Sequence, residues 1–255
     1  MDLRHLVDKE KYAGVIAISD VHAEIHLVAA AVKFAEERDF FVVFLGDYID
    51  GGKHPHETVS LVRGKLDSGS AVAIIGNHED KFYRHAIGRP VILGKDQLAT
   101  LEHVSDVEGF YADLRGVIEH GSTSYYFHYG DTVFIHGAAH HSVWELPEKL
   151  TSKPKAMALY GAVDGTRDEV GFPVRTYEWV DDIPFGRTVV AGHDRTALGK
   201  ATTEAVTRIG ALGGTVIFTD TSCGKSAVVG AHLTGAVFDF TDEGLAFSSF
   251  ESFKK

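Results

Sequence analysis

Three short apolar runs in the first third of the chain each stop at a polar cluster made of metal-binding residue types. AGVIAIS at 13–19 runs into Asp20-Val21-His22, FFVVFL at 40–45 into Gly46-Asp47-Tyr48-Ile49-Asp50, and AVAII at 71–75 into Gly76-Asn77-His78-Glu79. TVFI ends the same way at His136-Gly137, and RTVVAG at His193-Asp194. An ionised carboxylate buried at a strand end is costly unless paired or metal-bound, so repeated clusters of this kind need a compensating positive centre, which divalent metal ions would supply. Histidine, aspartate and asparagine without a thiolate suit Mn²⁺, Fe or Zn²⁺. A structural zinc site favours cysteine, and a calcium site would be all oxygen. The glycines before Asp47, Asn77 and His193, and after His136, let the backbone turn sharply and close to an ion.

These clusters need a frame that brings strand ends together. The first half alternates β-rich apolar runs with helical patterns: a helix from about Ala23 to Arg38 and another from about His56 to Leu66 separate the three strands. The result is a βαβαβ unit whose strands, apolar on both faces, read as buried and parallel. In such sheets function collects just past the carboxyl ends of the strands. A polar, partly helical middle follows from about Glu79 to Ser124, then YYFHY and TVFIH read as paired strands around Gly130-Asp131. The segment 145–185, rich in Pro, Gly and charge, reads as a loop-rich insertion over the site. RTVVAGH, TVIFT, SAVVGAHL and AVFDF then read as strands.

The chain has 255 residues, 44% of them hydrophobic, enough for one sizeable core. A net charge of −11 and the lack of a basic stripe exclude extended nucleic-acid binding. No apolar stretch approaches a membrane span, the N-terminus lacks an apolar signal region, and Cys223 is the only cysteine. A soluble, cytoplasmic protein without membrane contact is the expectation. Asn77 and Gln97 are the only side-chain amides in the chain.

Taken in order, Asp20-x-His22, Gly46-Asp47-x-x-Asp50, Gly76-Asn77-His78-Glu79, His136-Gly137 and Gly192-His193 resemble the calcineurin-like metallophosphatase superfamily, especially its phosphoprotein-phosphatase branch. Within that branch the chain looks most like bacterial symmetric or PrpE-type diadenosine tetraphosphatases and polynucleotide phosphatases. GNHEDKFYRHAIGR, YGAVDGTRDEVGFPVR and TDTSCGKSAVVGAHL add weaker support. The resemblance implies an α/β fold, a four-layer α/β/β/α sandwich of two mixed sheets, formed by one domain over 1–255. It implies that Asp20 and His22 hold a first metal, that Asp47 bridges, and that Asn77, His136 and His193 complete a second. His78 is then the general acid, oriented by Asp50. Elementary chemistry agrees, since two ions about 3.5–4 Å apart need a shared carboxylate, and a hydroxide between them is nucleophilic near neutral pH. The implied reaction is hydrolysis of a phosphomonoester or nucleoside polyphosphate with two divalent ions, Mn²⁺ first and Fe or Zn²⁺ as alternatives.

One departure matters. Protein phosphatases of this kind continue the second motif as Asp-Arg-Gly, the arginine gripping phosphate, whereas this chain has Asp50-Gly51-Gly52. Arg84, Arg175 and Arg167 are the candidate substitutes for binding a small phosphorylated substrate or nucleotide. The rival readings are a serine/threonine protein phosphatase and a non-catalytic metal-binding scaffold; the retained ligand set and His78 argue against the latter. Gly224-Lys225-Ser226 looks like the end of a phosphate-binding loop, but Thr219 stands where such a motif needs its first glycine. His140 and His141 read first as a surface turn and second as lining of the cleft; Trp144 and Trp179 read as packing residues, with Trp179 in the insertion facing substrate as the second reading.

Overall fold

A computed structural model describes residues 1–169, 171–196, 202–225 and 227–254. Its strands are β1 (Gly14–Ile18), β2 (Phe40–Phe44), β3 (Ala71–Ile74), β4 (Thr123–Ser124), β5 (Tyr126–Tyr129), β6 (Thr132–Ile135), β7 (Val163–Arg167), β8 (Pro173–Arg175), β9 (Thr188–Ala191), β10 (Val206–Ile209), β11 (Thr215–Phe218), β12 (Leu233–Phe240) and β13 (Leu245–Phe253). The helices are α1 (Ile25–Glu36), α2 (Pro55–Asp67), α3 (Asn77–Ala86), α4 (Lys95–Glu102), α5 (Val107–Ile118), α6 (Ser152–Tyr160) and α7 (Glu178–Asp181).

The first three apolar runs pair in parallel, β1 with β2 and β2 with β3, inside a six-stranded sheet ordered β13-β12-β1-β2-β3-β4. A second sheet orders β10-β11-β9-β6-β5, with β5 and β6 forming the antiparallel hairpin and β6, β9 and β11 running parallel. Both sheets are mixed. Alternate residues of β1 show how they stack, because strand side chains point to opposite faces. Val15 and Ala17 join Phe41, Val43, Phe127, Phe134, Val190 and Ile217 in a core shared by the two sheets. Ile16 and Ile18 face the other way, onto Val28 and Val32 of α1 and Val59 and Val62 of α2. On the far side, Val133, Ile135, Val189 and Ala191 pack on Ala158 of α6 and on Trp179 and Val180 of α7. The layers are therefore helix, sheet, sheet, helix, and strand ends of both sheets meet along one edge.

The helices over 23–38 and 56–66 form within two residues of the sequence reading. Two segments differ. Of SAVVGAHL, residues 227–232 are no strand: Gly230 sits at φ 83°, as Gly224 before the stretch sits at 70°, and β12 starts only at Leu233. Ser226 lies outside the described residues. The 145–185 segment carries the helix α6 and the β7–β8 hairpin as well as loops. Among the described residues no helix is long and apolar enough to cross a membrane.

Candidate metal centre

The ends of β1, β2 and β9 deliver their polar residues on an unusual backbone. Asp20, His22, Asp47, Asp50 and His193 all adopt φ between 48° and 66°, a conformation costly for non-glycine residues and common where surroundings over-determine a site. Close approach explains two of the glycines. A Cβ at Gly76 would lie 2.3 Å from Asp47 Oδ1, and one at Gly192 would lie 2.3 Å from Asp20 Oδ2. Neither position tolerates a side chain without displacing a carboxylate.

Two groups of side chains place their donor atoms within 4.8 Å of one another: His22 with Asp47 and His78, and Asp47 with His136 and His193. Asp47 belongs to both. Asn77 Oδ1 stands 3.1 Å from His136 Nε2, so it joins the second group. Asp20 falls outside the two groups; its carboxylate accepts the His193 backbone N–H at 2.8 and 3.0 Å. One nitrogen of each ligand-type histidine is engaged by backbone: His22 Nδ1 lies 3.2 Å from the Ile49 carbonyl, His136 Nδ1 lies 2.8 Å from that of Leu45, and His193 bonds the Tyr160 backbone. Such bonds fix the tautomer and leave the other nitrogen for a cation.

The electrostatics show what is missing. Burial pulls His22 down to about 3, with the Lys225 ammonium adding to it, and drives His193 well below its ordinary value, with His136 and Arg175 contributing. Both rings are neutral, the metal-binding form. Burial also pushes the Asp20 carboxyl well above its ordinary range, and the neighbouring Asp220 pushes it further. For Asp47, burial is outweighed by His136, His78 and His22, which hold it ionised. Burial likewise lowers His136, but Asp47 and its hydrogen bond outweigh this and raise it to about 9. Asp20, Asp47, Glu79 and Asp220 are all buried, and among the described residues no lysine or arginine is buried with them. A divalent cation fits that donor set and supplies the charge it lacks.

His78 stands beside the centre with its side chain 18% exposed, Nε2 at 3.7 Å from Asp47 Oδ2 and Nδ1 hydrogen-bonded to Asp50. Asp50 is itself locked by Gln97 Nε2 at 2.8 Å and by the Thr100 hydroxyl. Of the three arginines, Arg175 comes nearest: a Cβ on Gly161 would lie 3.2 Å from its Nη1 and 3.8 Å from the His193 ring. That Nη1 is buried and has no hydrogen-bond partner among the described residues. Arg84 is engaged elsewhere, its Nε 2.8 Å from Asp80. Arg167 lies in the exposed β7–β8 hairpin and donates to the Gly171 carbonyl at 2.6 Å. No contact among the described residues joins Arg167 to the centre.

Sequence reasoning missed three supports. Glu79 accepts the backbone N–H groups of Asp47 at 2.8 Å, Tyr48 at 2.7 Å and Gly76 at 3.1 Å, clamping the bridging loop to the start of α3. Gln97, one of only two amides in the chain, holds Asp50. Asp220 follows β11 as Asp20 follows β1, so the strand-end rule would have found it.

Comparison with known proteins agrees with this arrangement. The bis(5'-nucleosyl)-tetraphosphatase PrpE (asymmetrical) of Bacillus subtilis (strain 168) is 29% identical over 191 residues, 69% of this chain and 77% of that one. Two solved structures share the fold. A protein serine/threonine phosphatase from Saccharomyces cerevisiae superposes with a TM-score of 0.60 at 11% identity over all of this chain and 82% of that one. A metallophosphoesterase from Sphaerobacter thermophilus superposes with a TM-score of 0.53 at 18% identity over 95% and 89%. The family model described as calcineurin-like phosphoesterase matches residues 14–194, which takes in every strand-end motif from Asp20 to His193, and the chain belongs to that family of phosphoester hydrolases.

Proposed function

We propose that the protein hydrolyses a nucleoside polyphosphate, using two divalent ions held by Asp20, His22, Asp47, Asn77, His136 and His193, with Mn²⁺ the metal best suited to these nitrogen and oxygen donors. The observation that carries this reading is the membership of Asp47 in both ligand groups, with the His78–Asp50 pair alongside. When bound, such ions supply a shared water of lowered pKa and positive charge for the phosphoryl oxygens. Arg175 grips the phosphoryl group, since its buried Nη1 is a charge-assisted donor without a partner. His78 holds the proton for the leaving oxygen. Burial lowers its pKa, but in the metal-free protein the Asp47 charge and the Asp50 hydrogen bond outweigh this and raise it to about 9; with ions held on Asp47, the Asp50 hydrogen bond is the contact that favours the protonated ring.

Support for a nucleotide comes from a cavity of about 630 Å³ beside the centre, lined by Trp144, Tyr160, Gly161, Trp179, His140 and Lys153. Its size and aromatic wall suit a nucleobase and ribose. Tyr160 and Gly161 connect it to His193. The similarity to a bis(5'-nucleosyl)-tetraphosphatase points the same way. A nucleotide substrate and a lone buried cysteine suit the cytoplasm. Assay of the Mn²⁺-loaded protein against p-nitrophenyl phosphate, bis-p-nitrophenyl phosphate, diadenosine tetraphosphate and a phosphopeptide tests the reading. Highest kcat/KM on diadenosine tetraphosphate is expected, and preference for the phosphopeptide would overturn it.

A further inference from the structure

A second cavity, of about 370 Å³, opens on the opposite flank of His78. Asp50, Gly51, Gly52, His78, Lys225 and Arg195 are among the residues that line it. Both cations are partly buried. Among the described residues neither Lys225 Nζ nor the Arg195 guanidinium makes a hydrogen bond or ion pair. Neither acid that lines the cavity neutralises them: Asp50 is taken up by His78, Gln97 and Thr100, and Asp96 is exposed. The charge of both cations reaches Asp220, which lies beneath them and bonds Ser222 N–H at 2.9 Å.

Lys225 owes its place to a turn pressed against the metal centre. A Cβ at Gly224 would lie 2.5 Å from His22 Cβ, so this glycine, at φ 70°, lets the turn close on the histidine. The Lys225 N–H donates to the Ser222 carbonyl at 3.1 Å, and its own carbonyl accepts from Val228 at 2.9 Å. The Gly224 carbonyl in turn covers Gly51, where a Cβ would meet it at 3.2 Å. Gly51 sends no side chain into the cavity. Positive charge enters instead from the turn at 222–225.

We propose that this cavity binds the phosphates of an anionic leaving group, held by Lys225 and Arg195. The inference rests on the nucleoside-polyphosphate reading and gives it a direction. His78 borders both the metal centre and this cavity, so a leaving oxygen protonated by His78 departs into it. Arg175 lies on the other flank, at Gly161 and His193, and is committed to the phosphoryl group under attack. A substrate whose phosphates continue past the scissile bond therefore meets two unpaired cations, whereas a p-nitrophenolate leaving group carries one delocalised charge and offers them no phosphate oxygens.

Lys225→Ala, Arg195→Ala and the double variant, in Mn²⁺-loaded full-length protein, test this with diadenosine tetraphosphate and p-nitrophenyl phosphate side by side. The ratio of the two kcat/KM values is expected to fall at least tenfold in Lys225→Ala and further in the double variant, with Lys225→Arg restoring most of it. Binding of inorganic tripolyphosphate to chelated protein, followed by calorimetry, is expected to weaken in the same order. Equal losses on both substrates would instead place the cations on the transferred phosphoryl group and overturn the proposal. Unchanged ratios and unchanged tripolyphosphate binding would also overturn it. Turnover of p-nitrophenyl phosphate by the parent reports separately on the phosphoesterase reading.

Discussion

Arg175→Ala separates a phosphate clamp from a structural arginine. Its Nη1 is buried without a partner, while its Nε lies 3.9 Å from Asp194 Oδ1 at a side-chain exposure of 28%. Asp194 does not depend on that contact, because Tyr177 and Thr196 hydroxyls donate to it at 2.8 Å and the Thr196 N–H at 3.0 Å. Loss of the guanidinium removes a buried donor that has no partner and leaves Asp194 satisfied, so it should cost less than about 1 kcal/mol of stability. Loss of a charge-assisted contact to phosphate should cost about 1.5–3 kcal/mol, or roughly a ten- to 150-fold fall in kcat/KM. Arg175→Lys keeps the charge and loses the fork, so it should recover only part. Arg84→Ala is the contrast. Its guanidinium is already paired with Asp80 and touches the Tyr160 hydroxyl at 3.5 Å, so a change below about threefold is expected. Steady-state kinetics and phosphate inhibition, together with a melting curve, read these effects. Parent-like kinetics for Arg175→Ala, with the loss appearing in Arg84→Ala, would refute the reasoning.

Three further outcomes follow from the same geometry. His78→Asn should keep metal and lower kcat by roughly 10²–10⁴, less on p-nitrophenyl phosphate than on an alkyl phosphate, because a good leaving group needs little protonation; equal losses would reassign His78 to positioning. Gly51→Arg should melt earlier and gain no phosphomonoesterase activity, since φ is 90° and the Gly224 carbonyl stands 3.2 Å from the new Cβ, and a tenfold gain would show that the site lacks a clamp. The His78 pKa is raised from an ordinary 6.5 to about 9, so the stability this gives is fully present below pH 6.5 and lost as pH rises through about 9. In chelated protein the stability difference between parent and His78→Asn should therefore shrink across that window by an amount on the order of 3 kcal/mol, and a flat difference in denaturant melts would contradict it.

Much of this architecture was legible in the chain. β1, β2 and β3 are apolar on both faces because each is covered twice, by helices outside and by the second sheet inside, and that pattern cannot be mistaken for an amphipathic strand. The polar residues that interrupt them stand out for the same reason. What stayed hidden depends on contacts between distant segments. Asp50 is oriented by Gln97 and Thr100 on α4, 47 and 50 residues away, and nothing local to either marks the partnership. β10 alternates half-buried and exposed residues and β13 mixes them without alternation, both at sheet edges, a weaker signal than a buried run. The choice among Arg84, Arg167 and Arg175 rests on the fold of the 145–185 segment, which brings the end of β8 against Gly161 and leaves the hairpin tip exposed.

The dimetal centre is tested most directly by anomalous diffraction from crystals of the Mn²⁺-loaded protein, recorded on both sides of the manganese edge. Two anomalous peaks are expected, both within coordination distance of the Asp47 carboxylate, one also reached by Asp20 and His22 and the other by Asn77, His136 and His193. A single peak, or two peaks that do not share Asp47, would contradict a centre built around that carboxylate.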